Sequence, residues 1–438
     1  MMRRMLLILA IVLPAVVSAQ KKWTLQECVE QGVSHNIALK RADVEAQVQQ
    51  QQAEASKKAW LPRVHADVTG VLNFDMNLDL LARQNFVYAP FAVTAEMPLD
   101  ISGQIRNQSR ADALELKALL ADREKAENDL SLGICAAYLQ AVYARSIHQI
   151  AAEEVKMAQE RVDMVTSLVE EGVRSEGEMS EANSSLAEAE HASLQSANQW
   201  EKARLELAQL LLIEDYESFD LAELHDAADS AQSFGGLMNL QSAIDYAQAN
   251  NAAVRSAQLR QEASDYDVKV AKSELYPKLT LRGQIGAFAY SALKSEESYE
   301  EYKDVWKNRN EMISLNLSIP VFNGFATRSR IKQAELRSVD SRLAADEEWS
   351  RLKHEIEQAY QSAVASQKEY DSAQHKAEQY KAAYAYQRDR YEDGLGTWLE
   401  LREADSRLQQ ALYGVQQARF QYIMNQKILN FYKGEPIR

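Results

Sequence analysis

Apolar and polar residues alternate with a period of two in four stretches of the chain. In KLTLRGQIGAFAY (278–290), Leu279, Leu281, Ile285, Ala287 and Ala289 alternate with Thr280, Arg282 and Gln284. In MISLNLSIPV (312–321), Ile313, Leu315, Leu317 and Ile319 alternate with Ser314, Asn316 and Ser318. Earlier, Val64, Ala66, Val68 and Leu72 stand against His65, Asp67, Thr69 and Asn73, and Phe91, Val93, Ala95 and Met97 against Ala92, Thr94 and Glu96. One apolar and one polar face is the pattern of a strand buried on one side. It predicts strands at about 63–74, 88–99, 278–290 and 312–321.

Elsewhere the period lengthens. From Leu352 a seam runs through Ile356, Ala359, Ala363, Ser366, Tyr370, Ala373, Ala377, Tyr380, Tyr384, Gln387 and Tyr391, in steps of four and three. A mean spacing of 3.5 is that of coiled-coil packing, and its alanines let neighbouring helices approach closely. Long helices are predicted at about 104–170 and 326–391, with return helices at 178–213 and 397–433. At 1.5 Å per residue a long helix measures roughly 100 Å and its return helix some 55 Å. A preceding helix of roughly 35 Å (38–60, then 253–275), stacked on the return helix, nearly makes up the difference.

The chain carries this order twice. At an offset of 215, Leu25, Gln26, Asn36, Ala38, Ala42, Lys57 and Pro62 match Leu240, Gln241, Asn251, Ala253, Ala257, Lys272 and Pro277. At an offset of 222, Pro98, Tyr138, Gly172, Glu181, Ala182 and Leu186 match Pro320, Tyr360, Gly394, Glu403, Ala404 and Leu408. A unit of about 215 residues has been duplicated in tandem, too long a period for a solenoid. The first repeat covers 20–213 and the second 238–438. Between them lies an acidic segment, 214–237, expected to wrap the outside.

Composition agrees with long helices. Only 15 Gly and 7 Pro occur in 438 residues, and no Pro falls between Pro98 and Pro277 or between Pro320 and Pro436. Arg3 and Arg4 precede LLILAIVLPAVV and then Val17-Ser18-Ala19, which predicts a secretory leader over 1–19, cut before Gln20. No later apolar run of about 18 residues predicts a membrane-spanning helix. Cys28 does not directly follow the leader's apolar run, so it is not read as a lipid anchor. Cys28 and Cys135 allow at most one disulfide and read as helix-packing residues.

Removing Arg3 and Arg4 takes the formal charge from −15 to −17. So acidic a chain has no cationic stripe for nucleic acid. No enzyme is visible either. The seven His (35, 65, 148, 191, 225, 354, 375) show no metal-ligand spacing, His354-Glu355 does not extend to HExxH, and no P-loop or nucleophile elbow occurs. No cofactor or metal is expected.

The alternating stretches have two possible homes. A half-buried soluble sheet needs a second apolar layer. A membrane barrel of tilted strands, about 9–11 residues long, needs lipid on one side and water on the other. The adjoining helices are too polar to form that second layer. Aromatics at the strand ends (Phe74, Tyr88, Phe91, Tyr290, Phe322) resemble interface girdles. Four strands cannot close a barrel, and unpaired edges in lipid cost several kcal/mol per group. In lipid the sheet must therefore be completed by other copies in a ring-shaped homo-oligomer. The stretches between paired strands, 75–87 and 291–310, are then surface loops.

The duplicated order of helix, strand, strand and helix resembles the TolC-like outer-membrane efflux proteins. So do Tyr391-x-x-Gly394 with Glu403-Ala404 and Leu408, and the closing ARFQYIMNQKILNFYKG (418–434). The likeness covers nearly the whole mature chain. It implies a homotrimer whose twelve-stranded β-barrel, four strands per chain, lies in outer-membrane lipid and continues into a long periplasmic α-helical barrel. It also implies a passive exit duct of a tripartite efflux or type I secretion system. The partners would be a periplasmic adaptor (membrane fusion protein) and an inner-membrane transporter. The alternative is a periplasmic coiled-coil scaffold or adaptor with no membrane barrel.

Gly172, Gly177, Gly394 and Gly396 mark where the long helices reverse, and in such a trimer these turns face the adaptor. Just past the second turn, Glu400 and Glu403 share one helix face, and Glu178 and Glu181 hold the equivalent places in the first repeat. These acids complement the helix dipole. The resemblance adds a second role, because Glu400 and Glu403 match the family's acidic pore constriction. Repeated by threefold symmetry, they would repel anions and attract cations. The family's basic residue after the turn glycine is missing, since Leu395, Gly396 and Thr397 follow Gly394. A closing salt-bridge network based on that residue is not expected.

Overall fold

The computed structural model describes residues 22–77, 82–217, 219–222, 240–292, 309–435 and 437. The leader, most of the acidic segment and the centres of both inter-strand loops lie outside the described residues. In chain order the elements are β1 (Lys22–Trp23), α1 (Leu25–His35), α2 (Ile37–Lys57), β2 (Arg63–Val68), β3 (Val71–Asn77), β4 (Ala82–Leu99), α3 (Gln104–Glu170), α4 (Glu176–Leu210) and β5 (Asp220–Leu221). They continue as α5 (Leu240–Asn250), α6 (Ala252–Ser273), β6 (Lys278–Ala292), β7 (Asn310–Ser318), α7 (Ala326–Glu392) and α8 (Trp398–Tyr432).

These elements form two compact units. One comprises Met1–Lys40, Ala126–Ala249 and Lys353–Arg438, the other Arg41–Lys125 and Asn250–Leu352. Each unit takes chain from both repeats, because the division passes through α3 and α7 rather than between the copies.

The second unit holds the sheet, in the order β2-β4-β6-β7, with β3 also paired to β4. All of these pairings are antiparallel, and the central one, β4 with β6, joins the two repeats. The strand expected over 63–74 is broken after Val68. Its register with β4 does not slip, since Val68 faces Phe91 before the break and Val71 faces Tyr88 after it. Pro90 stands opposite the gap and has no N–H to give the ladder, so only the Thr69 N–H bond to its carbonyl remains there (3.1 Å).

Pairing carries the alternation across the sheet. One face gathers Val64 and Ala66, then Val93 and Ala95, then Leu281 and Ile285, then Ile313 and Leu315. On this face Val64, Val68, Phe91, Leu281, Ile285, Ile313, Leu315 and Leu317 are all exposed. The opposite face carries His65, Thr94, Glu96, Arg282, Ser314 and Asn316, with Arg282 Nε 3.5 Å from Glu96 Oε1. Phe322 is exposed as well. The side chains of Phe74, Tyr88 and Tyr290 lie outside the described set.

The first unit is mainly helical. All twelve positions of the α7 seam are buried or half-buried, from Leu352 to Tyr391. One core gathers Leu25, Cys28, Ile134, Cys135, Tyr138, Leu139, Leu207, Phe219 and Ile423. By length and composition alone, α3 contains a stretch apolar enough to cross a bilayer, against the sequence expectation. That helix supplies Ile134 through Ala144 to this core, which explains why it is apolar. Both cysteines are buried and outside any disulfide, and burial pushes Cys135 up to about 11. The start of the acidic segment is tied down, as β5 pairs with β1 in parallel and Arg145 donates to the carbonyls of Leu221 (2.7 Å) and Ala222 (3.1 Å).

Candidate functional site

Two regions are candidates for function: the exposed apolar face of the sheet in one unit, and the paired helix turns in the other. The turns follow one design. Gly172 ends α3 with φ +75° and Gly394 ends α7 with φ +74°, a conformation that costs an L side chain its Cβ clearance. The next residue then reaches back, Val173 N–H to Leu168 O (2.9 Å) and Leu395 N–H to Arg390 O (2.8 Å). The glycine N–H groups bond to Val169 O and Tyr391 O, so each turn is a Schellman motif closing the orphan carbonyls of its helix. Ser175 and Thr397 then open the return helices by accepting from the N–H of Glu178 and Glu400, both at 3.3 Å. Gly177 lies inside α4 rather than in the turn, with no positive φ. Gly396 is buried, and an added Cβ would meet Tyr391 N at 3.2 Å.

At this point the duplicated halves diverge. Glu178 and Glu400 are equivalent third residues of their helices, yet they do different things. Glu400 completes a capping box, accepting from Thr397 N–H at 3.0 Å, and that bond first of all holds its carboxyl below the usual range. Glu178 instead accepts the Tyr391 hydroxyl at 2.9 Å. Arg174, at the position equivalent to Gly396, lies 3.8 Å from Glu178 and donates to the carbonyls of Tyr391 and Gly396, each at 3.1 Å. Its guanidinium stacks over the Tyr391 ring at 4.3 Å. Burial, then the bond to Glu178, raises the Tyr391 phenol, which therefore stays a proton donor.

Beneath this clamp, Val165, Ala182, Tyr391, Trp398 and Leu401 form a small core. Arg174 of the first repeat thus holds both turns together within the chain. The sequence reading missed Arg174. Its signal was the offset of 222, which places an arginine where the second copy has Gly396.

Of the four carboxylates singled out, Glu178 belongs to the clamp and the other three are exposed. Glu403 Oε2 lies 3.4 Å from Arg407 on its own helix, a loose surface pair. Within one chain Glu400 and Glu403 share an open helix face. Among the described residues no group of three His, Cys, Asp or Glu could hold a metal ion.

A family model described as outer membrane efflux protein matches residues 29–211 and again 243–434, one match per repeat. Among curated proteins, Protein CyaE of Bordetella pertussis is 24% identical over 273 residues, covering 62% of this chain and 55% of that protein. The chain thus spans about half the length of that curated relative. Among solved structures, CusC matches with a TM-score of 0.83 at 16% identity, covering 94% of this chain and 92% of that one. VceC of Vibrio cholerae matches at 0.78 and 18%, covering 94% and 97%. The outer membrane channel MtrE of Neisseria gonorrhoeae, solved in its open state, matches at 0.74 and 18%, covering 93% and 88%. These likenesses show a shared mainly helical fold with a small sheet, and the two family matches fit the duplicated unit. The chain belongs to the outer membrane efflux protein family and is an outer-membrane protein extending into the periplasm.

Proposed function

We propose that the chain is one third of a passive exit duct, conducting substrate from an inner-membrane transporter and a periplasmic adaptor across the outer membrane, in a tripartite efflux or type I secretion system. The observation that carries this reading is the sheet. Its apolar face is exposed from Val64 across to Leu317, and β2 and β7 end it with edges that pair with nothing among the described residues. A water-soluble monomer has no use for either feature, whereas hydrocarbon covers the face and neighbouring copies pair the edges. Three copies of four strands make the twelve-stranded barrel of the homotrimer.

The adaptor contact falls at the turns, Gly172, Gly177, Gly394 and Gly396. Val173 and Leu395, equivalent residues just after the two left-handed glycines, stand 57% and 72% exposed there and offer aliphatic knobs to a partner. Glu400 and Glu403, with Glu181 in a lesser place, bring the carboxylates of the pore constriction. Glu178 serves the clamp. The duct reading is tested by reconstituting the purified protein into planar bilayers. Discrete cation-preferring conductance supports it, and a protein that inserts nowhere contradicts it. Deleting the gene and profiling sensitivity to antibiotics, bile salts and metals assigns the cargo.

A further inference from the structure

Further along the same helices lies a second set of buried charges. Arg161 stands one turn from Val165 on α3, Asp405 one turn from Leu401 on α8, and Tyr384 two turns from Tyr391 on α7. Arg161 and Asp405 are 6% and 8% exposed. The Arg161 Nη2 lies 2.5 Å from Glu154 Oε1 and 3.2 Å from Asp405 Oδ2, and Gln409 Nε2 donates to the other Glu154 oxygen. Both carboxyls thus converge on the one Arg161 nitrogen. Arg161 Nη1, Asp405 Oδ1 and Gln409 Oε1 find no partner among the described residues.

Two carboxylates around one guanidinium leave a net negative charge if both ionise. An unbalanced charge away from water is strongly unfavourable. One proton makes the cluster neutral. We propose that Glu154 and Asp405 hold one shared proton beside Arg161, and that this proton fastens α8 to α3, so that the contact loosens as pH rises.

Burial first, then the charge of Asp405, holds the Glu154 carboxyl above its ordinary range, and burial does the same for Asp405 against the pull of Arg161. The two titrate as a pair. The folded pair binds its proton more tightly than the unfolded chain does. Its stabilisation is therefore complete below the ordinary carboxylate range and is lost as pH climbs through the raised value. Among the described residues, the phenols of Tyr384 on α7 and Tyr413 on α8 also face the cluster. The buried positions Ala182 and Ala189 of α4 bring no charge, and His148 of α3 bonds Ser196 of α4 at 3.3 Å. The inference goes beyond the duct reading and does not depend on it, because its readout is helix packing rather than conduction.

The test is hydrogen exchange of the full chain in detergent at pH 5.5 and 7.5, corrected for intrinsic rates. Protection of amides in 401–409 is expected to fall as pH rises, by up to about tenfold for each unit by which the pair is raised. Asp405→Asn and Glu154→Gln, which each leave one carboxylate facing Arg161, are expected to abolish that dependence. His148→Gln is expected to keep it. Wild-type protection that ignores pH overturns the proposal, even if a variant fails to fold. An unchanged dependence in both carboxylate variants also overturns it.

Discussion

The Tyr391 hydroxyl donates to Glu178 Oε2 at 2.9 Å, joining residues 213 positions apart in the chain. Arg174 lies over the same ring and holds two carbonyls of the second turn. The two helix turns are therefore held by one residue set, arginine and glutamate from the first repeat and tyrosine from the second.

Tyr391→Phe removes a hydrogen bond to a charged acceptor, worth about 1.5–3 kcal/mol. Amides at 172–178 and 394–400 are expected to exchange faster, with the rest of α3 and α7 unchanged. Arg174→Ala removes two carbonyl bonds and the ring contact together, so its effect is expected to be larger. Exchange confined to one turn would show that the clamp does not couple them.

Glu400 has two possible contributions, its cap and its charge, and one pair of variants separates them. Glu400→Gln keeps an acceptor for Thr397 N–H while removing the charge, and Glu400→Ala removes both. If the carboxylates form a constriction, Glu400→Gln with Glu403→Gln lowers cation preference in single-channel recordings, and changing both to Ala also raises current. Unaltered conductance and selectivity in both double variants reject the constriction.

The turn glycines are not equivalent. Gly394→Ala and Gly172→Ala place a Cβ in the left-handed region, at a cost of about 1–2 kcal/mol each, with no contact within 4 Å to aggravate it. Gly177→Ala adds helix propensity inside α4 and is expected to be neutral or to stabilise by about 0.5–1 kcal/mol. Thermal unfolding of the three variants in one detergent checks the order.

Cys28 and Cys135 lie in a helical core, and burial keeps Cys135 a thiol at neutral pH. Mass spectrometry after alkylation at pH 8 is expected to find both unmodified in the folded protein and both modified after denaturation.

Patterns that repeat within a single element were legible in the sequence. The α7 seam named twelve inward positions, and all twelve are buried or half-buried, because side-chain period alone decides which face turns inward. The apolar face of the sheet followed from alternation in the same way. The break between β2 and β3 did not, since it depends on Pro90 standing across from Thr69 in a partner strand. The clamp was hidden for a similar reason. Gly396 taken alone signalled a missing base, and only the packing of one turn against the other shows that Arg174 donates to its carbonyl. The buried set of Glu154, Arg161 and Asp405 spans two helices and likewise has no local signature.

We infer that lipid and two further copies of the chain complete the exposed apolar sheet and its open edges. Native mass spectrometry of the protein released from detergent micelles decides this. Three chains in one particle, recovered from the outer-membrane fraction and lost to aggregation when detergent is withdrawn, is the predicted result. A folded single chain that stays in solution without detergent would contradict it.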